Sequence, residues 1–186
     1  MLDVSTVPTW AWAVIGVSVL VLVVLGYFLY RFVRYTVERR LIGGMVPKMQ
    51  SVEAARRSME TVMTHLAEDT DEALLEFAKS PESMDRVALA EVEQRMRLLR
   101  DELDQTSLPD DVIPVAVALA DAAHVIAEEA GRVTDSMGPD AALSALAAID
   151  LGLMADQVVS ASMVLKSACE EYRIEDAAVY GGGLYI

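Results

Sequence analysis

Between Asp3 and Arg31 the chain carries 27 consecutive residues, Val4 to Tyr30, without a charged side chain, and the run stops at Arg31, Arg34, Arg39 and Arg40. Its apolar part, Trp10 to Tyr30, is 21 residues long. At about 1.5 Å per helical residue that is about 31 Å, against a bilayer hydrocarbon core of about 30 Å. The spacing predicts a single transmembrane helix over residues 9–30. Trp10 and Trp12 lie at one end and Tyr27 and Tyr30 at the other, where amphipathic rings settle among headgroups, and arginines follow only the tyrosines. The expected orientation in a cell or virion membrane therefore has residues 1–8 outside and everything after the span in the cytoplasm. A cleaved secretory signal fits poorly. Such a signal needs a basic flank, an apolar stretch of about 7–15 residues and a small-residue cleavage site. Met1 to Ser5 has no basic residue, and bulky Tyr27, Phe28 and Tyr30 stand where cleavage would fall.

Beyond the span, residues 31–44 read as a basic juxtamembrane segment closed by a Gly43-Gly44 hinge, residues 45–175 as one helical domain, and residues 176–186 as a flexible tail. From Met45 to Ile186 there are 11 Lys or Arg against 27 Asp or Glu, a net charge of −16. A footprint this negative excludes nucleic acid, whose phosphates need a basic surface. It favours basic protein partners or divalent cations and keeps the domain off an anionic leaflet, with the arginine collar alone touching lipid. Arg outnumbers Lys 12 to 3, so the acidity also suits nothing more than solubility in a salty cytoplasm. The single cysteine, Cys169, rules out an internal disulfide and reads as a small buried thiol.

Apolar residues recur at steps of three and four through the acidic part, so the whole chain reads as all-α. A first helix is expected from about Val46 to Lys79, with Val52, Ala55, Met59, Val62, Leu66, Ala73 and Phe77 inward, and Asp69 to Glu72 as a capping box at which it breaks. Ser80-Pro81-Glu82 starts a second helix with Met84, Ala88, Val92, Met96, Leu99 and Leu103 inward. A third runs to about Met137 with Leu119, Ala123, Ile126, Ala130, Val133 and Met137 buried. Gly138-Pro139 starts a fourth. Along it Ala147, Leu151, Met154, Val158, Ala161, Leu165, Ala168 and Tyr172 alternate fours and threes, the seam of coiled-coil packing. The expected architecture is an antiparallel bundle of three to four long helices. The seam would serve a homo-oligomer equally well; the other three stripes, which also need cover, favour packing within one chain.

No catalytic, cofactor or metal motif stands out. Asp121, His124, Glu128 and Asp135 share one face of the third helix, but it lies opposite the apolar stripe, so a solvated face with a Glu128–Arg132 pair is expected. Asp150 borders the seam and, with Asp156 and Gln157, is the remaining candidate for an inward carboxylate cluster; di-metal bundles use Glu-x-x-His pairs, and none occurs. His65, beside Leu66, reads as a half-exposed helix residue. The end of the sequence, Tyr180-Gly-Gly-Gly followed by Leu184, Tyr185 and Ile186, is a candidate docking tail. The expected function is a non-enzymatic, single-pass membrane scaffold or regulator that binds proteins through its acidic helices. The alternative is a structural subunit of a larger membrane assembly such as a transporter, an energy-converting complex or a virion membrane. A metal-dependent helical enzyme is the least favoured.

Overall fold

The computed structural model describes residues 9–68, 71–133 and 136–175. Among these, all secondary structure is helical: α1 (Thr9–Glu68), α2 (Asp71–Lys79), α3 (Met84–Gln105), α4 (Ile113–Ala130), α5 (Pro139–Ala147) and α6 (Leu151–Glu171). The first helix has 60 residues, about 90 Å at the helical rise. Its N-terminal portion contains a window of mean hydropathy 2.2, none of it buried. One helix near the N-terminus is thus long and apolar enough to cross a membrane.

The hinge expected at Gly43-Gly44, and the fresh helix after it, are corrected: α1 continues through both glycines and through Pro47. The local cost is about 0.5–1 kcal/mol for each glycine and about 3 kcal/mol for the proline, which also removes one backbone hydrogen bond. Burial outweighs it. Ile42, Met45, Val46, Met49 and Val52 are all at most 5% exposed, and each such side chain contributes about 1.5–3 kcal/mol. The inward stripe continues through Ala55, Met59, Val62 and Leu66, as the periodicity predicts.

The second helix starts later than Ser80-Pro81 suggests. The Ser80 N–H closes α2 on the Glu76 carbonyl (2.8 Å), and the N-cap of α3 is Ser83, whose hydroxyl makes no capping bond. The stripe phase is set by Leu89, Val92, Met96, Leu99 and Leu103, all buried, while Met84 in the first turn is 87% exposed. Arg86 is buried with its guanidinium 5.9 Å from the centre of the Phe77 ring. The third helix, α4, stops at Ala130 rather than Met137, with Gly131 as C-cap. A Cβ at Gly131 would lie 2.8 Å from a Glu93 carboxylate oxygen and 3.0 Å from the Ala127 carbonyl, so a larger residue there would displace the Glu93 side chain of α3.

The single fourth helix expected after Gly138-Pro139 is two helices. α5 and α6 meet at 46° around Asp150. Asp150 takes extended backbone and accepts the Leu153 N–H at 2.9 Å, which makes it an N-cap rather than a member of a carboxylate cluster. Ala147 accordingly ends α5 in solvent and is not part of the seam. From there on Met154, Val158, Ala161, Leu165 and Tyr172 are buried and Leu151 and Ala168 half-buried, with Cys169 fully buried beside them. α4 packs against α1, α3 and α6, α1 also against α3 and α6, and short α2 against α3 and α5. The alanines at 116, 120, 122, 123, 127 and 130 let α4 occupy this central place, since small side chains permit close axes.

Candidate functional site at the end of the apolar run

Glu38 is a lone acid among four arginines, and it lies four residues before Ile42, in phase with the buried stripe of α1. That phase turns its carboxylate inward, to 4% exposure. A buried carboxylate without partners is destabilised by several kcal/mol, so it must be matched by donors. Two donors converge on it: the Arg34 guanidinium Nε at 2.6 Å and the Tyr172 hydroxyl at 3.0 Å. Arg34 also donates through Nη2 to Asp111 on the turn before α4, at 2.7 Å. Tyr35 stacks on the Tyr172 ring, with centroids 5.4 Å apart and planes 18° from parallel, and its hydroxyl donates to the Tyr172 carbonyl at 3.1 Å. Arg39 Nη2 donates to the Arg173 carbonyl at 3.2 Å. α1 is thereby fastened to the C-terminus of α6 and to the α3–α4 turn just where the apolar run ends.

The end of α6 is shaped for this contact. The Ile174 N–H reaches back to the Cys169 carbonyl (2.8 Å) and the Arg173 N–H to the Glu170 carbonyl (3.2 Å), the paired bonds of a Schellman turn. Arg173 takes the left-handed position that such turns usually give to glycine, at φ 52°. Burial, then the hydrogen bond to Glu38, pushes the Tyr172 hydroxyl up to about 12, so at neutral pH it donates to the carboxylate. Hydrogen bonding to Glu38, then its charge and that of Asp111, raises the Arg34 guanidinium further above its usual range.

Around this network lies a cleft of about 500 Å³. α1 contributes Tyr27, Tyr30 and Arg31 to its lining, the α3–α4 turn Asp111, and the end of α6 Glu171 and Tyr172. Of the residues expected at a bilayer surface, Trp10, Trp12, Tyr27 and Tyr30 are 54–69% exposed. Arg31 and Arg40 are exposed, whereas Arg34 and Arg39 are drawn into contacts with the rest of the fold. Leu184, Tyr185 and Ile186 lie outside the described residues, as does Asp135.

A second buried carboxylate holds the α5–α6 joint. Glu129, 2% exposed, takes two bonds from Arg132 (2.8 and 2.7 Å) and one from the Asp150 N–H (2.8 Å). The pair expected between Glu128 and Arg132 is therefore made by Glu129 instead. The Glu129 hydrogen bond and charge raise the Arg132 guanidinium. Asp121 and Glu128 are exposed, and His124 faces Arg100 at 2.9 Å and Glu128 at 3.4 Å. His65, with its side chain 56% exposed, pairs with Asp85 at 3.2 Å. Among the described residues no group of three His, Cys, Asp or Glu side chains could hold a metal ion. Glu38, Tyr35, Asp111, Glu129 and Arg173 were not singled out by motif. For Glu38 and Glu129 a signal did exist, since each falls on the buried phase of its helix. Comparison with protein families, with curated proteins and with solved structures gives no match to this chain.

Proposed function

We propose that this protein is a non-enzymatic, single-pass membrane-anchored scaffold or regulator: residues 9–30 span the bilayer, residues 1–8 lie outside, and the acidic helices form a cytoplasmic bundle that binds other proteins. One observation carries this reading. The same unbroken helix exposes an apolar window with mean hydropathy 2.2 and then buries a stripe in the core. A helix apolar on every side needs an apolar solvent, and a rigid continuation into a folded domain holds that domain at a fixed height above the bilayer. Packing of α1 against α6, both with apolar steps of three and four, supports coiled-coil-like crossing within the bundle. The net charge of −16 beyond residue 44 favours basic protein surfaces as partners and disfavours nucleic acid.

The second reading, a structural subunit of a larger membrane assembly, is favoured by Val159 and Met163, 54% and 61% exposed one turn apart on α6. Such a spot suits a permanent neighbour or a second copy of the chain. Carbonate extraction tests the anchor, which should resist release without detergent. For orientation, a membrane-impermeant maleimide should label Ser5→Cys in intact cells and Ser160→Cys only after lysis; the reverse pattern would overturn the topology. Cross-linking in native membranes separates the two functions. A scaffold recovers soluble clients, and a subunit recovers one fixed membrane complex.

A further inference from the structure

We infer that the cleft at the end of the apolar run is a binding site for the headgroup of an amine-bearing zwitterionic phospholipid, a phosphodiester with a primary ammonium beside it. The inference rests on α1 crossing the bilayer. With the hydrocarbon edge at Tyr30, Arg31 stands about 1.5 Å and Arg34 about 6 Å further along the axis, inside a headgroup layer about 5–7 Å deep. Glu38, about 12 Å along, lies beyond it. The cleft of about 500 Å³ therefore opens at headgroup level, and its wall continues directly into the exposed apolar surface of α1, along which acyl chains would run.

The charges of the cleft select the headgroup. Arg34 is engaged by Glu38 and Asp111 at 2.6 and 2.7 Å. Arg31 is exposed and makes no salt bridge to another described residue, so its planar donor fork remains for a phosphate. Glu171, which the end of α6 contributes to the lining, is also exposed and also without a salt bridge among the described residues. Three carboxylates (Glu38, Asp111, Glu171) against two guanidiniums (Arg31, Arg34) leave the lining net negative. A purely anionic headgroup meets repulsion there, whereas one that carries its own cation satisfies both Arg31 and Glu171. A primary ammonium donates hydrogen bonds to carboxylates; a quaternary ammonium has none to donate.

Native mass spectrometry of the full chain in detergent, titrated separately with phosphatidylethanolamine, phosphatidylcholine and phosphatidylglycerol, tests this. Phosphatidylethanolamine should be retained preferentially. Arg31→Gln should weaken it about tenfold, the effect of losing a charge-assisted pair, and Glu171→Gln should erase its preference over phosphatidylcholine. Arg95→Gln, exposed on α3 and outside the cleft, should change nothing. Tighter binding of phosphatidylglycerol, equal binding of all three lipids, or retention unchanged in both cleft variants would overturn the site. A chain released by carbonate would defeat the membrane reading instead; a chain that stays in the bilayer without lipid preference defeats only this one.

Discussion

From Val14 to Val37, α1 exposes every large apolar side chain, whereas from Ile42 to Leu66 the same helix buries one stripe, with Ile42, Val52 and Met59 at 0%. The backbone is continuous across the change, and what differs is how apolar residues are distributed around the axis. In the first half they cover all sides. In the second they alternate with charges such as Lys48, Glu53, Arg56 and Arg57. A helix greasy all round is satisfied only by an apolar medium, and a striped one by neighbouring helices. The comparison teaches that surroundings are encoded by angular pattern, while helicity itself is common to both halves. The Glu38 network sits at the crossover and locks the second half to α6 and the α3–α4 turn.

The largest contrast is expected from a carboxylate placed in each half. Val52→Asp buries an unpartnered charge and should lower the unfolding free energy by more than about 4 kcal/mol. Val21→Asp should leave thermal unfolding in detergent unchanged while disfavouring membrane insertion by about 3 kcal/mol. If both substitutions moved unfolding alike, the division of α1 would fail. Next in size is Glu38→Ala, which strands the buried Tyr172 hydroxyl and should cost about 1–3 kcal/mol in urea titration. Tyr172→Phe should cost about 1 kcal/mol.

Alkaline titration sharpens the role of that contact. Because the folded-state Tyr172 value is raised from about 10 to about 12, the folded protein holds its proton longer than the unfolded chain does. Its contribution is complete below about pH 10 and is lost as pH rises to about 12. Circular dichroism melts should decline across that window in the native chain and decline less in Tyr172→Phe.

Backbone substitutions probe the junction. No neighbouring atom lies within 4 Å of where a Cβ would stand at Gly43 or Gly44. Replacing both by alanine should therefore raise the melting free energy by about 1–2 kcal/mol through helix propensity; a loss of stability would show that the junction needs a bend. The smallest change is expected from Arg173→Gly. Relief of the left-handed strain, about 1–2 kcal/mol, slightly exceeds the added chain entropy of glycine, about 0.5–1 kcal/mol. The net gain, about 0.5 kcal/mol, should appear as a small rise in Tm.

Much of the helical pattern was legible in the residues, because periodic burial is local information. The stripes of α1, α3, α4 and α6 can be read from Val52, Val92, Leu119 and Met154 onward. Structure departs from the local pattern where local signals and burial disagree. Gly43-Gly44 and Pro47 are strong breakers, yet the flanking apolar side chains hold the helix together. Ser80-Pro81 is a good start signal, but the chain uses Ser83. Asp150 borders the apolar seam in the sequence and is the cap that divides two helices. The cleft could not be read at all, since Asp111 and Arg34 lie 77 residues apart and Tyr172 and Glu38 lie 134 apart.

The order of residues along the chain determined an apolar rod of bilayer length, an arginine boundary, a strongly acidic remainder and the phase of each buried stripe, because each depends only on spacing and charge within a few turns. Tertiary packing decided that α1 runs unbroken into the core, that α5 and α6 part at Asp150, and that Glu38 and Glu129 are the buried carboxylates which fasten the helix ends. Those outcomes depend on free energies summed between segments distant in sequence, where burial of several side chains outweighs a glycine pair or a proline.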